Sequence, residues 1–493
     1  MTRWLLLLIC QAALAQTLEQ KILGLLESTP AARRCFWGVE AVELEKDQPL
    51  VRHNAEKLFV PASNTKLFTT ALALLRLGPD YRFRTVVMAA QAPDAGGRLA
   101  GGLRLVGGGD PSLSGRVIPY QKDAPPGDPL ARLDALAEQV AARGVRRIDG
   151  DIVGDDTAYL WEPYPQGWAQ DDALWEYGAP VSALTLNDNA LTVNIRPPAR
   201  AGLPPELTLV PALEYYVIDN RIQARPGAER RIRLERLPGA RQLRLWGTVS
   251  TEGSGATRLA LAVDDPALYA ATAFYEALLK RGITITGAPR ARHRFANEVS
   301  DLTSGGAPAA AGGVELARLE SPPLLELLRV VDKVSQNLHA ELMLREVARM
   351  RRQTGTREAG LEELRGLLAE AGIEEAGYLF EDGSGLSRLN LVAPAAVVKL
   401  LRHLDRSPHR EAWVSLLPIG GEDGTLANRF DGHPEGRRVR AKTGTLSHVS
   451  ALSGYIESRS RGRLAFSLMV NNYRAPSAEI RGVVDKICLL LAE

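Results

Sequence analysis

Ser63 and Lys66 stand at the head of an apolar-periodic run, Leu67, Phe68, Ala71, Leu72, Leu74 and Leu75, which Gly78 closes. The spacing predicts a helix with a glycine at its C-terminal end. Residues i and i+3 share a helix face, so the hydroxyl and the amine can point into one cleft. A serine hydroxyl is a poor nucleophile until a base takes its proton, and a desolvated lysine can be that base. The alternative is an N-cap serine followed by a solvated lysine. The pair alone does not decide between these, so the rest of the chain must.

At 493 residues the chain has room for two to four domains and a large core. Hydrophobic residues make up 45% and charged residues 24%, which places it among globular rather than disordered chains. The net charge of +2 is spread along the chain, with no basic block carrying interleaved aromatics, so no nucleic-acid partner is expected. The seven histidines are scattered, and neither metal nor cofactor is expected.

Met1-Thr2-Arg3, the apolar Trp4 to Ile9 and Ala13-Leu14-Ala15 read as the three parts of a cleaved signal peptide, residues 1–15. The mature protein is therefore expected to be exported, periplasmic or otherwise extracytoplasmic. A retained N-terminus tethering the protein to a membrane is the alternative. Cleavage leaves Cys35 and Cys488, near opposite chain ends, which read either as a disulfide or as two buried thiols.

The fold class expected is α+β and multidomain. Gln16 to Arg34 is predicted helical, and Cys35 to Leu44 and Leu50 to Asn54 are predicted strands before the Ser63 helix. From Phe83 short strands punctuated by Gly, Pro and Asp dominate: 84–88, 103–106, 147–153, 191–195, 206–209, 232–234 and 243–249. Helices interrupt at 129–143 and 265–281, the second capped by Asp264 or Asp265 with Pro266 just inside. This region reads as β-rich domains inserted after the Ser63 helix, one covering 83–175 plus 256–290 and the other 176–255. A Gly/Ala-rich linker, Ser304 to Gly313, leads back to helices at 324–350, 360–371 and 392–404, the last entered from an Asn390 cap. Three strands follow (437–442, 449–457, 464–471), then an amphipathic helix, 477–491. That last helix reads as a core helix, with peripheral membrane contact as the alternative. Residues 16–82 plus 291–493 thus form the domain that carries Ser63.

Two more stretches bear chemistry. Ser335-Gln336-Asn337 falls at a helix junction and offers a proton-relaying hydroxyl and an amide that can hold a carbonyl. Lys442-Thr443-Gly444-Thr445 follows an alternating strand. Its lysine offers a cation, its threonine a hydroxyl, and its glycine a close approach for a substrate backbone. There is no G-x-S-x-G elbow, phosphate loop or dinucleotide fingerprint.

In this order, S-x-x-K, S-x-N and K-T-G resemble the active-site serine penicillin-recognising enzymes. Within them the chain looks like the class C low-molecular-mass penicillin-binding proteins, the D-alanyl-D-alanine carboxypeptidase/endopeptidase family. The likeness includes Gly178 to Leu184, Asn187-Asp188-Asn189, Asp382 to Arg388, Leu417 to Leu426, Arg440 to Leu446 and Asn471-Asn472-Tyr473. It implies a β-lactamase-like transpeptidase domain, an antiparallel sheet flanked by helices, with the long insertion as the family's own trait. It implies peptidoglycan stem peptides as substrates and β-lactams as inhibitors. It also implies Ser63 as nucleophile, Lys66 as base, Ser335 as proton relay and Lys442 as the cation that depresses Lys66 and receives the substrate carboxylate. Thr443 and Thr445 would share that carboxylate and Asn337 would hold the penultimate amide. The Ser63 and Thr445 backbone N–H groups would form the oxyanion hole. For cleavage of cross-links, Asp156 of the insertion would face the acceptor's amine, a solvated turn aspartate being the alternative. The competing functions are a β-lactamase or D-amino-acid amidase on the same site, or a peptidoglycan-binding scaffold.

Overall fold

The computed structural model describes residues 16–237, 239–252, 255–304 and 312–493. The signal-peptide stretch and most of the expected 304–313 linker lie outside the described residues.

The two ends of the chain build one antiparallel sheet, in the order Val439–Leu446, Val449–Ser458, Gly462–Asn471, Phe36–Glu43, Gln48–His53. Both faces are covered, so its central strands are apolar on both sides instead of alternating. One face packs on Leu18–Ser28 and Ser477–Ala492, with Ile22, Ile480, Val484 and Leu491 against Phe466 and Leu468. The final helix spends its apolar face on this core. Among the described residues no helix is long and apolar enough to cross a membrane. Cys35 and Cys488 are free thiols, so the disulfide alternative is not realised.

The other face packs on Thr65–Leu77, Leu324–Lys333, Asn337–Arg352 and Pro394–Asp405. The Ser63 helix is wholly enclosed, with Lys66 through Leu74 all buried. Phe68 stacks at a tilt on Phe380, 4.8 Å between ring centres, just ahead of the Asp382 to Arg388 loop. The helix at 394–405 starts from Ala393, not from the expected Asn390 cap. Asn390 instead turns inward, its Oδ1 accepting from the Glu381 N–H at 2.7 Å.

The insertion is pinched off by one pair of hydrogen bonds. Ser321 N donates to Phe83 O, and Phe83 N donates to Ser321 Oγ, each at 3.0 Å. The insertion therefore runs to about Glu320, thirty residues beyond the expected return at 291. Its main sheet has the order Pro289–Arg294, Ile152–Leu160, Leu103–Val106, Arg84–Ala89, Val314–Glu320. The two outer strands carry arginines and glutamates on their exposed sides, which hid them from an apolar pattern. Thr257–Ala262 pairs with Ala190–Arg196, so it sits with the expected second inserted unit and not the first. One continuous apolar cluster links both units through Pro266–Lys280. That helix begins as predicted, with Asp265 accepting from Leu268 N and Pro266 in the first turn.

Phe68→Ala is expected to cost roughly 3–5 kcal/mol, the usual range for emptying a fully buried phenylalanine site. Denaturant unfolding of the pure protein checks it.

Candidate active site

Ser63 lies in a short 3-10 turn, Ala62–Asn64, that feeds directly into Thr65–Leu77. Ala62 is held at φ +48°, outside the region a side chain prefers. Contacts from two other elements fix this turn. Asn64 Nδ2 donates to Lys442 O (2.9 Å), and Asn64 Oδ1 accepts from Ser453 Oγ (2.6 Å). A Cβ at Gly444 would come within 2.5 Å of Pro61 O. This glycine is thus needed for the Ser63 turn to dock on the strand, a closer neighbour than the substrate backbone expected from sequence.

Lys66 Nζ has three partners: Ser63 Oγ at 2.9 Å, Asn337 Oδ1 at 2.6 Å and Ser384 O at 2.6 Å. Two of these oxygens can only accept. The hydroxyl can donate, so a neutral amine satisfies all three by giving two protons and receiving Ser63's. Complete burial lowers the Lys66 pKa well below the usual lysine value, and repulsion from Lys442 adds to this. Asp382, Glu341 and Asp332 pull the other way.

Ser335 sits between Leu324–Lys333 and Asn337–Arg352 at φ +63°, a left-handed residue that breaks the helix and turns its hydroxyl toward the strand. Lys442 Nζ lies 2.9 Å from Ser335 Oγ and 2.8 Å from Thr443 O. Burial lowers the Lys442 pKa to about 8 against the pull of Asp332. Asn337 is held from both ends of its amide, since Nδ2 donates to Tyr177 O at 2.8 Å. Thr443 Oγ1 meets Thr425 Oγ1 at 2.8 Å, and Thr445 is exposed on the same strand. That strand is the sheet edge. Residues 418–420 cover its first half, where Ala441 N donates to Pro418 O and Gly420 N donates to Val439 O. The folded chain therefore brings Ser63, Lys66, Ser335, Asn337, Lys442, Thr443, Gly444 and Thr445 to one place.

Asp156 does not join them. It is 2% exposed, and its carboxylate accepts from Ser182 Oγ (2.8 Å) and faces His293 Nδ1 (3.0 Å). Burial alone would lower the His293 pKa, but hydrogen bonds to Asp156 and Asp265 raise it to about 10. His293 is thus a cation at neutral pH and already neutralises Asp156. The carboxylate expected to face an acceptor amine is thus engaged by Ser182 and His293 inside the inserted region.

The Asp382 to Arg388 loop, part of the family likeness, delivers the Ser384 carbonyl to Lys66. Asp382 accepts from Gly385 N, Ser387 N, Asn390 Nδ2 and Trp168 Nε1 at 2.5–2.9 Å. Glu341 Oε1 accepts from Gly383 N and Ser384 N, each at 2.9 Å. Gly385, at φ +81°, leaves room for Ala62 O, which a Cβ would overlap. The Leu417 to Leu426 loop is also anchored, by Lys333 Nζ to Asp423 (2.5 Å) and by Gly424 N to the Tyr120 hydroxyl (3.1 Å). Two buried acids on separate helices, Asp332 and Glu341, were missed because a lone acid in a helical pattern reads as an exposed residue.

A serine next to a buried lysine, at the edge of an antiparallel sheet backed by helices, defines an active-site serine acyl-transfer enzyme. The chain matches the D-Ala-D-Ala carboxypeptidase 3 (S13) family over residues 18–492 and belongs to it. It is 36% identical over 488 residues, 97% of this chain and 84% of the relative, to a D-alanyl-D-alanine carboxypeptidase of Actinomadura sp. (strain R39). It is 24% identical over 457 residues, 90% of this chain and 86% of the relative, to the D-alanyl-D-alanine carboxypeptidase DacB of Haemophilus influenzae. The fold is that of penicillin-binding protein 4 (dacB) from H. influenzae, with TM-score 0.81, 22% identity, and 96% and 99% of the two chains covered. A β-lactam complex of that protein matches at TM-score 0.77 with 22% identity over the same shares.

Asn337→Asp should place an anion 2.6 Å from Lys66 Nζ and remove the donor to Tyr177 O. The carboxylate favours the charged lysine, so the Lys66 pKa rises. Acylation at neutral pH should fall by at least about tenfold, with its acid limb moved to higher pH. A pH series of benzylpenicillin acylation rates checks it. Gly385→Ala should lower both Tm and acylation, because the loop can no longer seat against Ala62.

Proposed function

We propose that the protein is a serine D,D-peptidase of the exported cell-wall machinery, acting on peptidoglycan stem peptides. It would remove terminal D-alanine, cleave D-alanyl cross-links, or both, through an acyl-enzyme. The observation that carries this reading is the Lys66 amine, buried and hydrogen-bonded to Ser63 Oγ and two carbonyl-type acceptors.

In the proposed cycle Lys66 takes the Ser63 proton as Oγ attacks the carbonyl between two D-alanines. The backbone N–H groups of Ser63 and Thr445 receive the oxyanion, one such donor typically contributing ~3 kcal/mol. The proton that Lys66 took is relayed by the Ser335 hydroxyl, which Lys442 holds in place, to the departing amine, and D-alanine leaves. The terminal carboxylate lies against Lys442 and the Thr443 and Thr445 hydroxyls on the open half of the edge strand. Asn337 Nδ2 keeps a second proton for the carbonyl of the penultimate residue. Water then attacks the ester and restores Ser63. A β-lactam offers the same amide but its leaving group stays attached, so penicillin should inhibit.

Wild type with benzylpenicillin should gain the mass of one penicilloyl group, stable over minutes, and Ser63→Ala should gain none. Intact-mass spectrometry reads both. Penicillin consumed without an adduct would favour a β-lactamase, and penicillin left intact would favour a scaffold.

A further inference from the structure

Asp332 takes no part in the cycle above, yet it is the buried acid behind both lysines. It lies on Leu324–Lys333, three residues before Ser335, and is 0% exposed. No described group donates a hydrogen bond to either carboxylate oxygen. The hydroxyl beside it, Thr70, spends its proton on Lys66 O at 2.7 Å. An isolated buried carboxylate is strongly unfavourable unless cations balance it or it takes up a proton, and burial raises the Asp332 pKa to about 7, leaving it an anion at mildly alkaline pH.

Three cations act on Asp332: Lys442 from the edge strand, Lys66 from the Ser63 helix and Lys333 from its own helix. They are not equivalent. Lys333 is already paired with Asp423 and Leu417 O. Lys66 has its full set of three partners, and the other acids that face it, Asp382 and Glu341, are each taken up by backbone donors. Lys442 has two neutral partners, and Asp332 is the acid that acts on it.

We propose that Asp332 is a positioning residue for acylation: its anion keeps the positive charge on Lys442, so that Lys66 is the lysine left neutral. Two ammonium groups this close in a dry site compete for one proton, and an anion nearer in effect to one of them decides the holder. The proton goes to the residue that must meet a carboxylate, and the lone pair stays on the residue that must take the Ser63 proton. The inference rests on the acyl-enzyme reading above.

The test compares acylation rates of benzylpenicillin and its methyl ester as a function of pH, in wild type, Asp332→Asn and Asp332→Ser. Only the free acid needs charged Lys442. In wild type its rate should fall above pH about 8, where Lys442 loses its proton, and the ester's should not. Without the anion Lys442 deprotonates earlier. The free-acid limb should then move down by about one unit or more, cutting the preference for free acid over ester roughly tenfold at a fixed mildly alkaline pH. Equal alkaline limbs for acid and ester in wild type would overturn the proposal without any variant. So would a variant that loses rate equally at every pH and for both compounds, since that is a packing defect. A wild type that forms no adduct at all would sink the acyl-enzyme reading itself, a result separable from the others.

Discussion

Two lysine amines buried side by side cannot both stay charged in a dry site, and the active site is built around that constraint. Lys66 and Lys442 are each 0% exposed, and each is lowered by burial. A lysine in water near pH 7 is a cation with no lone pair to offer. Here desolvation and like-charge repulsion lower the Lys66 pKa well below the usual lysine value, and the three oxygens around it accommodate a neutral amine. Ser384 O and Asn337 Oδ1 can only accept, while the Ser63 hydroxyl can accept from Lys66 or donate to it. The hydrogen bonds therefore accommodate either form of the amine, and burial with like-charge repulsion favours the neutral one.

Keeping those partners in place consumes much of the surrounding structure. Asp382, within the loop, and Glu341, on the helix behind it, are buried acids that accept from the loop's N–H groups, which is what lets the loop turn a carbonyl inward. The insertion contributes as well. Tyr177 O holds Asn337, Trp168 holds Asp382, and the Tyr120 hydroxyl holds Gly424. Asp188, at φ +57°, accepts from Arg116 at 2.6 Å and meets His339 Nε2, two residues after Asn337, at 2.9 Å. The inserted region is thus a wall of the site as well as a separate body on the chain.

The grouping of the candidate site was legible because its three stretches carry short, rare letter patterns whose spacing survives without any knowledge of packing. The Ser63 helix was legible too, from its apolar period and the Gly78 that closes it, and so was the helix junction at Ser335. The failures have physical causes. Pro289–Arg294 and Val314–Glu320 pair at the rims of a sheet, where exposed charged residues dilute the alternation. Asn390 looked like a cap because asparagine before a helix usually is one, but it bonds into the Asp382 loop. Asp156 carried the letters of an exposed turn. Its fate depended on His293, 137 residues away, a partner no local pattern can supply. Asn187-Asp188-Asn189 was visible as part of a resemblance, but its bond to His339 was not.

The same close packing bears on how the acyl group would leave. Deacylation needs a base for water. Glu341 and Asp382 cannot serve, since backbone N–H groups, Arg345 and Trp168 occupy their oxygens. Asp332 lies behind the lysines, fully buried. In the proposed cycle this leaves the Lys66 amine to activate water in turn, from the side the leaving group vacates. D-alanine clears that side when it diffuses away. The opened ring of a β-lactam stays tethered to the acyl group and keeps it filled. In that cycle a long-lived penicilloyl adduct is the expected outcome, and it would separate the peptidase reading from a β-lactamase.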